Sequence, residues 1–251
     1  QTPLNEQDLK TMSEAVEVLR QFKGFSYFTE MSDIINRLED HVASARMKTT
    51  PVIDFEKNES LKGLDYLDTI YHAIVNEHPI QLKYRSFKAR SANSFIFYPY
   101  LLKEYRNRWF VYGVRGNGRI LQNLALDRIQ SLEVLPQEHY IKNTFFDPNT
   151  FFDDLVGVTK NSGSVAEKIG FKVAAAEAPY IITKPIHRSQ QVVERLADGS
   201  VILEIEVVIN HELERVFFGY AEGIQVLYPK TLVELMGRKL KKAAEQYTHS
   251  K

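Results

Sequence analysis

The sequence contains no cysteine, which excludes disulfide bridges, cysteine nucleophiles and zinc sites built on thiolates. No apolar run approaches the roughly 18 residues that a membrane-spanning helix needs, and no basic-then-apolar signal segment opens the chain. Low-complexity tracts are also absent, and hydrophobic residues make up 44% of the composition. These absences predict an ordinarily folded cytoplasmic protein, and 251 residues are enough for two compact units.

Signatures of catalysis are missing as well. His211-Glu212 begins like a zinc-protease motif, but Arg215 stands where the second histidine is required. Gly116-Asn117-Gly118 begins like a dinucleotide-binding loop, but Leu121 stands where the third glycine is required. No phosphate-binding loop, nucleophile elbow or paired carboxylates suited to acid–base chemistry can be identified. We therefore predict a protein that is not an enzyme and that uses no metal or cofactor.

The net charge is zero, but the charges are unevenly distributed along the chain. Residues 81–119 contain a single acid, Glu104, whereas both flanking segments are net acidic. The same residues carry nine basic side chains: Lys83, Arg85, Lys88, Arg90, Lys103, Arg106, Arg108, Arg115 and Arg119. This imbalance predicts an anionic partner, either a nucleic acid or a phosphorylated small molecule.

Aromatic residues are interleaved with these cations: Tyr84, Phe87, Phe95, Phe97, Tyr98, Tyr100, Tyr105, Trp109, Phe110 and Tyr112. Arginine and lysine bind phosphates, and aromatic rings stack on bases, so the combination is typical of nucleotide binding. Strand alternation predicts Lys83 and Arg85 on one face of a strand, and Arg106 and Arg108 on one face of another. The alternative is that the aromatic residues fill a small core while the cations are solvated at its rim.

The spacing of apolar residues changes along the chain. Helical spacing predicts helices around residues 9–19, 31–42 and 64–74. Five β-rich runs follow, with Gly116-Asn117-Gly118 as a hairpin turn: 80–84, 95–102, 109–114, 120–126 and 129–135. After about residue 160 strands and helices alternate, so the sequence predicts an α+β protein with a small β-barrel first.

Two motifs resemble the WYL-domain family. They are Asn107-Arg108-Trp109-Phe110-Val111-Tyr112-Gly113 and Asn123-Leu124-Ala125-Leu126-Asp127-Arg128-Ile129. Trp109-Phe110-Val111 stands in place of the Trp-Tyr-Leu that names the family. Further along, Asp154-Leu155-Val156-Gly157-Val158, Lys184-Pro185-Ile186-His187-Arg188 and Asn210-His211-Glu212-Leu213 resemble the extension domain, WCX, that accompanies this family.

The resemblance implies three parts. These are a helical connector over residues 1–78, an Sm-like or SH3-like β-barrel over 79–136, and a linker with a ferredoxin-like α/β extension over 137–251. Members are typically bacterial, homodimeric transcription regulators in which an N-terminal winged helix-turn-helix domain binds operator DNA. Residues 1–45 show no basic recognition helix, so we expect that domain to precede this chain.

The resemblance also implies a function and a site. We predict that the barrel senses a nucleotide or nucleic-acid effector, and the alternative is a protein that binds single-stranded nucleic acid directly, without a small effector. The predicted ligand contacts are Tyr84, Arg85, Arg108, Trp109, Arg119 and Arg128. Secondary candidates are Lys83, Arg106, Asp127, His187 and Arg188, and Asp127 is expected to orient Arg128 through a charge-assisted pair.

Overall fold

A computed structural model describes residues 62–116, 118 and 120–248. The helices predicted around 9–19 and 31–42 and the candidate contact Arg119 lie outside the described residues. One compact unit of the chain ends at Thr144, and a second begins at Phe145. Among the described helices, none combines the length and apolar character needed to cross a membrane.

The described part of the first unit contains one α-helix and five strands. They are α1 (Leu67–Val75), β1 (Ile80–Tyr84), β2 (Asn93–Tyr105), β3 (Arg108–Arg115), β4 (Leu121–Ala125) and β5 (Ile129–Val134). The strands form one antiparallel sheet in the order β4-β3-β2-β1-β5. All five predicted β runs and the β3–β4 hairpin are confirmed. The sheet order leaves β4 and β5 at its edges. The strand pairing therefore shows a five-stranded sheet and does not show the closed barrel that was predicted.

The core of the first unit lies between α1 and one face of this sheet. Leu67 and Ile70, three residues apart on the helix, are fully buried against Ile80 and Leu82, which alternate along β1. Burying each such side chain stabilises the fold by roughly 1.5–3 kcal/mol. The helical and strand periodicities of the sequence therefore meet at a single apolar layer.

The hairpin between β2 and β3 turns on Arg106 and Asn107. Both residues have positive φ angles, 51° and 60°, and Tyr105 pairs with Arg108 across the turn. This conformation matches the twist of a tight two-residue hairpin. The prediction that Arg106 and Arg108 share one face of a strand is wrong, because Arg106 is a turn residue. The absence of an Asn-Gly or Asp-Gly pair hid this turn from sequence inspection.

A tyrosine cluster covers the opposite face of the first sheet. Tyr98 and Tyr100 follow the core residue Phe97 along β2 and lie outside the core cluster. The ring of Tyr140 contacts the rings of Tyr98 and Tyr100 edge-on, at a centroid distance of 6.1 Å in both cases. The Tyr140 hydroxyl donates a hydrogen bond to the carbonyl of Pro99. Burial, together with the neighbouring Tyr98, raises the pKa of Tyr100 to about 12.

The raised pKa predicts a loss of stability in alkali. An unfolded tyrosine ionises near pH 10, whereas Tyr100 in the folded protein holds its proton to about pH 12. The contribution of Tyr100 to the unfolding free energy is therefore complete below pH 10 and is lost as the pH rises from 10 to 12. We expect the Tyr100→Phe variant to lose about 2 kcal/mol less unfolding free energy over this range than wild type does.

Denaturant unfolding followed across the alkaline range would measure this difference. Tyr247→Phe is the control, because Tyr247 is 84% exposed and its replacement should leave the pH dependence as in wild type. Equal alkaline losses in wild type and Tyr100→Phe would show that Tyr100 does not carry the effect.

The second unit combines four strands with three α-helices. They are β6 (Glu167–Val173), α2 (Ala178–Thr183), β7 (Gln191–Arg195), β8 (Val201–Val207), α3 (His211–Gly219), β9 (Ile224–Tyr228) and α4 (Lys230–Thr248). The sheet is antiparallel in the order β7-β8-β6-β9. Its core face carries Phe171 and Leu203, which are fully buried in a cluster with Ile181, Phe217 and Leu232 of the three helices. The predicted α+β class is confirmed.

The other face of this sheet carries a polar network. The ring of Tyr228 lies against Gly170, where a Cβ atom would come within 2.1 Å of the ring, so any side chain at this position would force the ring to move. The Tyr228 hydroxyl donates to Glu204 Oε2 at 2.8 Å, and Lys168 Nζ lies 3.3 Å from Glu204 Oε1. Lys172 similarly pairs with Asp198 at 3.5 Å. Both lysines of β6 therefore have carboxylate partners.

Asn210 joins α3 to the segment that precedes β6. Its Oδ1 caps the helix by accepting a hydrogen bond from the Leu213 amide at 2.9 Å. Its Nδ2 donates to the carbonyls of Val156 and Thr159 at 3.0 and 2.9 Å. The side chain is buried, so all three backbone groups depend on it for their hydrogen bonds.

Replacing Asn210 tests this joint. We expect Asn210→Ala to lower the unfolding free energy of the second unit by about 3 kcal/mol, because the cap is lost and two carbonyls lose their donor. Asn210→Ser keeps a capping oxygen but cannot supply the amide donors, so it should recover only part of the loss. Urea denaturation gives both values. A cost for Asn210→Ala no larger than that of Asn161→Ala, at an exposed position, would contradict this account.

Candidate anion-binding site

The candidate site is built on a short 3-10 turn, Leu126–Arg128, between β4 and β5. Leu126 is 1% exposed and lies in the core of the first unit. Gly63, with a φ angle of 83°, brings its backbone so close that a Cβ would lie 2.3 Å from the Leu126 carbonyl oxygen. Since Leu126 is held from both sides, the positions of Asp127 and Arg128 are fixed by the core.

Asp127 pairs with two arginines. Its Oδ2 lies 3.3 Å from Arg108 Nε, and its Oδ1 lies 3.8 Å from Arg128 Nε. The carboxylate is largely buried, with 11% of its side-chain surface exposed, whereas Arg108 is 45% and Arg128 is 28% exposed. Asp127 was predicted to orient Arg128. It contacts Arg108 more closely, so it brings together the guanidinium groups of both residues.

Tyr84, the last residue of β1, lies beside Arg128. Burial raises the pKa of its hydroxyl, and the positive charge of Arg128, together with hydrogen bonds involving Ala125 and Arg128, partly offsets that rise. The phenol is therefore protonated at neutral pH. The structure thus brings together four of the residues predicted from sequence, Tyr84, Arg108, Asp127 and Arg128.

The loop after β1 reaches the site through Phe87. The Arg85 amide donates to the Arg128 carbonyl at 3.1 Å, which ties the loop to the 3-10 turn. The guanidinium carbon of Arg128 lies 4.5 Å from the centroid of the Phe87 ring, within the range of a cation–π contact. Sequence reasoning did not select Phe87 as a contact. An available signal was its position between Arg85 and Lys88.

The side chains of four other predicted residues of the first unit have other surroundings. Lys83 is exposed on β1, and Trp109, which was predicted as a ligand contact, packs against the apolar core cluster. Arg106 extends over the ring of Tyr105, 5.5 Å from its centroid. The side chain of Arg85 points to its own loop, where its Nε lies 3.5 Å from the Ala89 carbonyl.

His187 and Arg188 belong to the second unit. His187 Nδ1 lies 2.8 Å from the Ser189 hydroxyl, and burial lowers the pKa of its imidazole, with the charge of Arg188 adding to the effect. Arg188 pairs with Asp153 at 2.7 Å. Both side chains therefore have partners within their own unit.

Charge and aromatic surface dominate the chemistry of the candidate site. Across the described residues, no group of three or more histidine, aspartate or glutamate side chains is arranged to hold a metal ion. Each guanidinium carries five N–H donors in a planar fork that suits phosphate and carboxylate oxygens. One carboxylate cannot satisfy two such groups, so the site can accept a further anion.

Comparison with protein families identifies both units. Residues 65–134 match the WYL domain, and residues 166–244 match the WCX domain. The chain belongs to the WYL-domain family. Every residue of the candidate site, from Tyr84 to Arg128, lies within the WYL match.

Two solved structures are similar to this WYL-domain chain at low sequence identity. Proteasome accessory factor B/C (PafBC) of Arthrobacter aurescens is 16% identical, with a TM-score of 0.34 over 80% of this chain, and the match spans only 30% of that protein's length. A CRISPR Cas-related protein is 10% identical, with a TM-score of 0.48 over 98% of this chain and 88% of that one. No curated protein matches the sequence.

The Asp127 ion pairs predict a salt-sensitive contribution to stability. We expect Asp127→Asn, which removes the charge and keeps the shape, to lower the unfolding free energy of the first unit by about 1 kcal/mol, since both arginines are partly solvated. Raising the salt from roughly 0.1 M to 1 M should shrink this difference through screening. Urea denaturation at both salt concentrations provides the measurement.

Glu133→Gln is the matched control, because Glu133 is an exposed acid on β5. Its replacement should change stability by less than about 0.5 kcal/mol. If Asp127→Asn behaved like this control at low salt, the carboxylate would not be what holds the two arginines.

Proposed function

We propose that this WYL–WCX chain is the effector-sensing, regulatory part of a bacterial transcription regulator and that it is not an enzyme. The effector is a nucleotide or a nucleic acid whose phosphate binds between Arg108 and Arg128. The observation that carries the proposal is the placement of both guanidinium groups on one buried carboxylate, Asp127, at 3.3 and 3.8 Å.

The different burial of Asp127, Arg108 and Arg128 supports the proposal, because the carboxylate is buried more deeply than the two guanidinium groups. Asp127 is the least exposed of the three, and Arg108 retains nearly half of its side-chain surface in water. Arg108 and Arg128 each keep N–H groups that Asp127 does not use, and an incoming phosphate can accept from them. Because Asp127 restrains the guanidinium groups beforehand, the ligand does not have to order two free side chains.

The local charge favours the same class of ligand. From Gln81 to Lys103 the chain carries no acidic residue, and Arg85, Lys88 and Arg90 are exposed in or next to the loop that follows β1. A surface with one sign of charge attracts anions over a distance and raises their association rate. This positive potential would draw a phosphate towards Arg108 and Arg128.

The family resemblance supplies the finer parts of the proposal. The WYL sheet would curve as an Sm-like barrel, and the WCX unit would adopt a ferredoxin-like arrangement. Effector binding would change the geometry of a homodimer and thereby the affinity of an N-terminal winged helix-turn-helix domain for operator DNA. Such a regulator would act in the cytoplasm.

Direct binding of single-stranded nucleic acid, without a small effector, is a second candidate. Phe87 favours it, because an exposed ring beside arginines can stack on the bases of a flexible strand. The two candidates use the same cations but differ in ligand length. Affinity that saturates with a mononucleotide or cyclic nucleotide supports the sensor, whereas affinity that grows with oligonucleotide length supports the direct binder.

Titration of the purified chain with both ligand classes, at two salt concentrations, tests the proposal. We expect the double variant Arg108→Ala/Arg128→Ala to bind at least about tenfold more weakly, since two charge-assisted contacts are removed. With a single-stranded oligonucleotide, the slope of log affinity against log salt should also fall by about 1.4, or 0.7 for each lost phosphate contact. Fluorescence anisotropy with labelled ligands gives both quantities.

A variant with the same loss of charge serves as the control. Arg195→Ala/Arg238→Ala removes two exposed arginines from the second unit and should leave both affinity and salt slope close to wild type. Equal weakening in the two double variants would indicate a general charge effect without a site. Absence of binding by the wild-type chain to either ligand class would refute the proposed function.

A further inference from the structure

We infer that Phe87, held by Arg128, is a stacking platform that makes the site select ligands with a nucleobase beside the bound phosphate. This inference rests on the proposed anion site and goes further, because it assigns base recognition to a residue outside the two motifs that contain Arg108 and Arg128. It separates nucleotide-like ligands from simple phosphates, sugar phosphates and other polyanions.

The position of the Phe87 ring is the first observation. Phe87 is 73% exposed and belongs to neither apolar core cluster of the described residues. Its described ring contact is with the guanidinium of Arg128, 4.5 Å from the ring centroid. Most of the aromatic surface therefore faces water next to a phosphate-binding cation.

The loop backbone fixes this position. The Arg85 amide donates to the Arg128 carbonyl at 3.1 Å, and the Ala89 amide donates to the Ser86 carbonyl at 3.0 Å. The first bond anchors the loop to the site, and the second closes a turn around Phe87. A ring whose loop is already ordered loses less conformational freedom when a ligand stacks on it.

Arg128 links the ring to the anion site. The same guanidinium faces Asp127 at 3.8 Å and Phe87 at 4.5 Å. A phosphate that binds beside Arg108 and Arg128 would therefore have its attached sugar and base within reach of Phe87. Aromatic stacking is tolerant of base identity because every base presents a flat π face.

A second cation–aromatic pair, between Arg115 and Phe95, provides a contrast. The guanidinium carbon of Arg115 lies 4.0 Å from the ring centroid of Phe95, and Phe95 is partly buried and packs against the core of the first unit. Its ring serves the core, and its face towards Arg115 is already covered. Phe87 has no such core role, so its removal should leave folding almost unchanged.

Two labelled probes of equal length separate base stacking from phosphate binding. One is an oligothymidine of about ten nucleotides, and the other is the corresponding abasic strand, with the same phosphates and no bases. We expect Phe87→Ala to bind oligothymidine roughly tenfold more weakly than wild type while binding the abasic strand with wild-type affinity. Phe87→Trp should restore or exceed the wild-type affinity for oligothymidine, and Phe87→Leu should not restore it.

Tyr180→Ala controls for the loss of an exposed aromatic residue, since Tyr180 is 70% exposed in the second unit and should affect neither probe. If Phe87→Ala binds both probes as wild type does, the stacking platform is disproved while the anion site stands. If it weakens both probes equally, Phe87 only positions Arg128, and the inference also fails. If wild type binds neither probe, the inference fails, and the titration with mononucleotides and cyclic nucleotides then decides whether the anion site stands.

Discussion

The burial of Leu126 is the constraint on which the candidate site depends. Leu126 fills the core of the first unit, and the next two residues of its 3-10 turn are the largely buried Asp127 and the partly exposed Arg128. A turn anchored in this way cannot shift without opening the core, so the carboxylate has a defined position. The ion pairs with Asp127 then restrain the guanidinium groups of Arg108 and Arg128.

The site also illustrates how a buried acid can serve an anion-binding surface. An aspartate among arginines would seem to oppose a phosphate, because like charges repel. Here the acid is less exposed than the two cations that it pairs with, so in the proposed function it restrains them while a phosphate would meet their outer N–H groups. Two arginines held by one carboxylate keep a net positive charge, and their rotamer entropy has already been reduced on folding.

Much of this fold follows from sequence patterns, and the exceptions have physical causes. Alternation along Ile80–Tyr84 and helical spacing in Leu67–Val75 identified the layers, because one face of each element had to be apolar. The Arg106-Asn107 turn escaped detection since neither residue is glycine. Among site residues, the Ala-Leu-Asp-Arg-Ile segment pointed to Asp127 and Arg128, but its pairing with Arg108 depends on strand order that local patterns do not encode. Phe87 was missed because a lone exposed ring has no periodicity.

The network over Gly170 has a consequence for the second unit. Lys168 and Lys172 are engaged by Glu204 and Asp198, and Tyr228 is tied to Glu204, so the face of the sheet opposite the helices has neutralised its own cations. A phosphate backbone approaching this face would have to displace carboxylates that are already in place and would meet their repulsion. The two sheets of one chain thus differ in electrostatic character: beside the first, two arginines share one carboxylate, whereas on the second each lysine of β6 has a carboxylate partner.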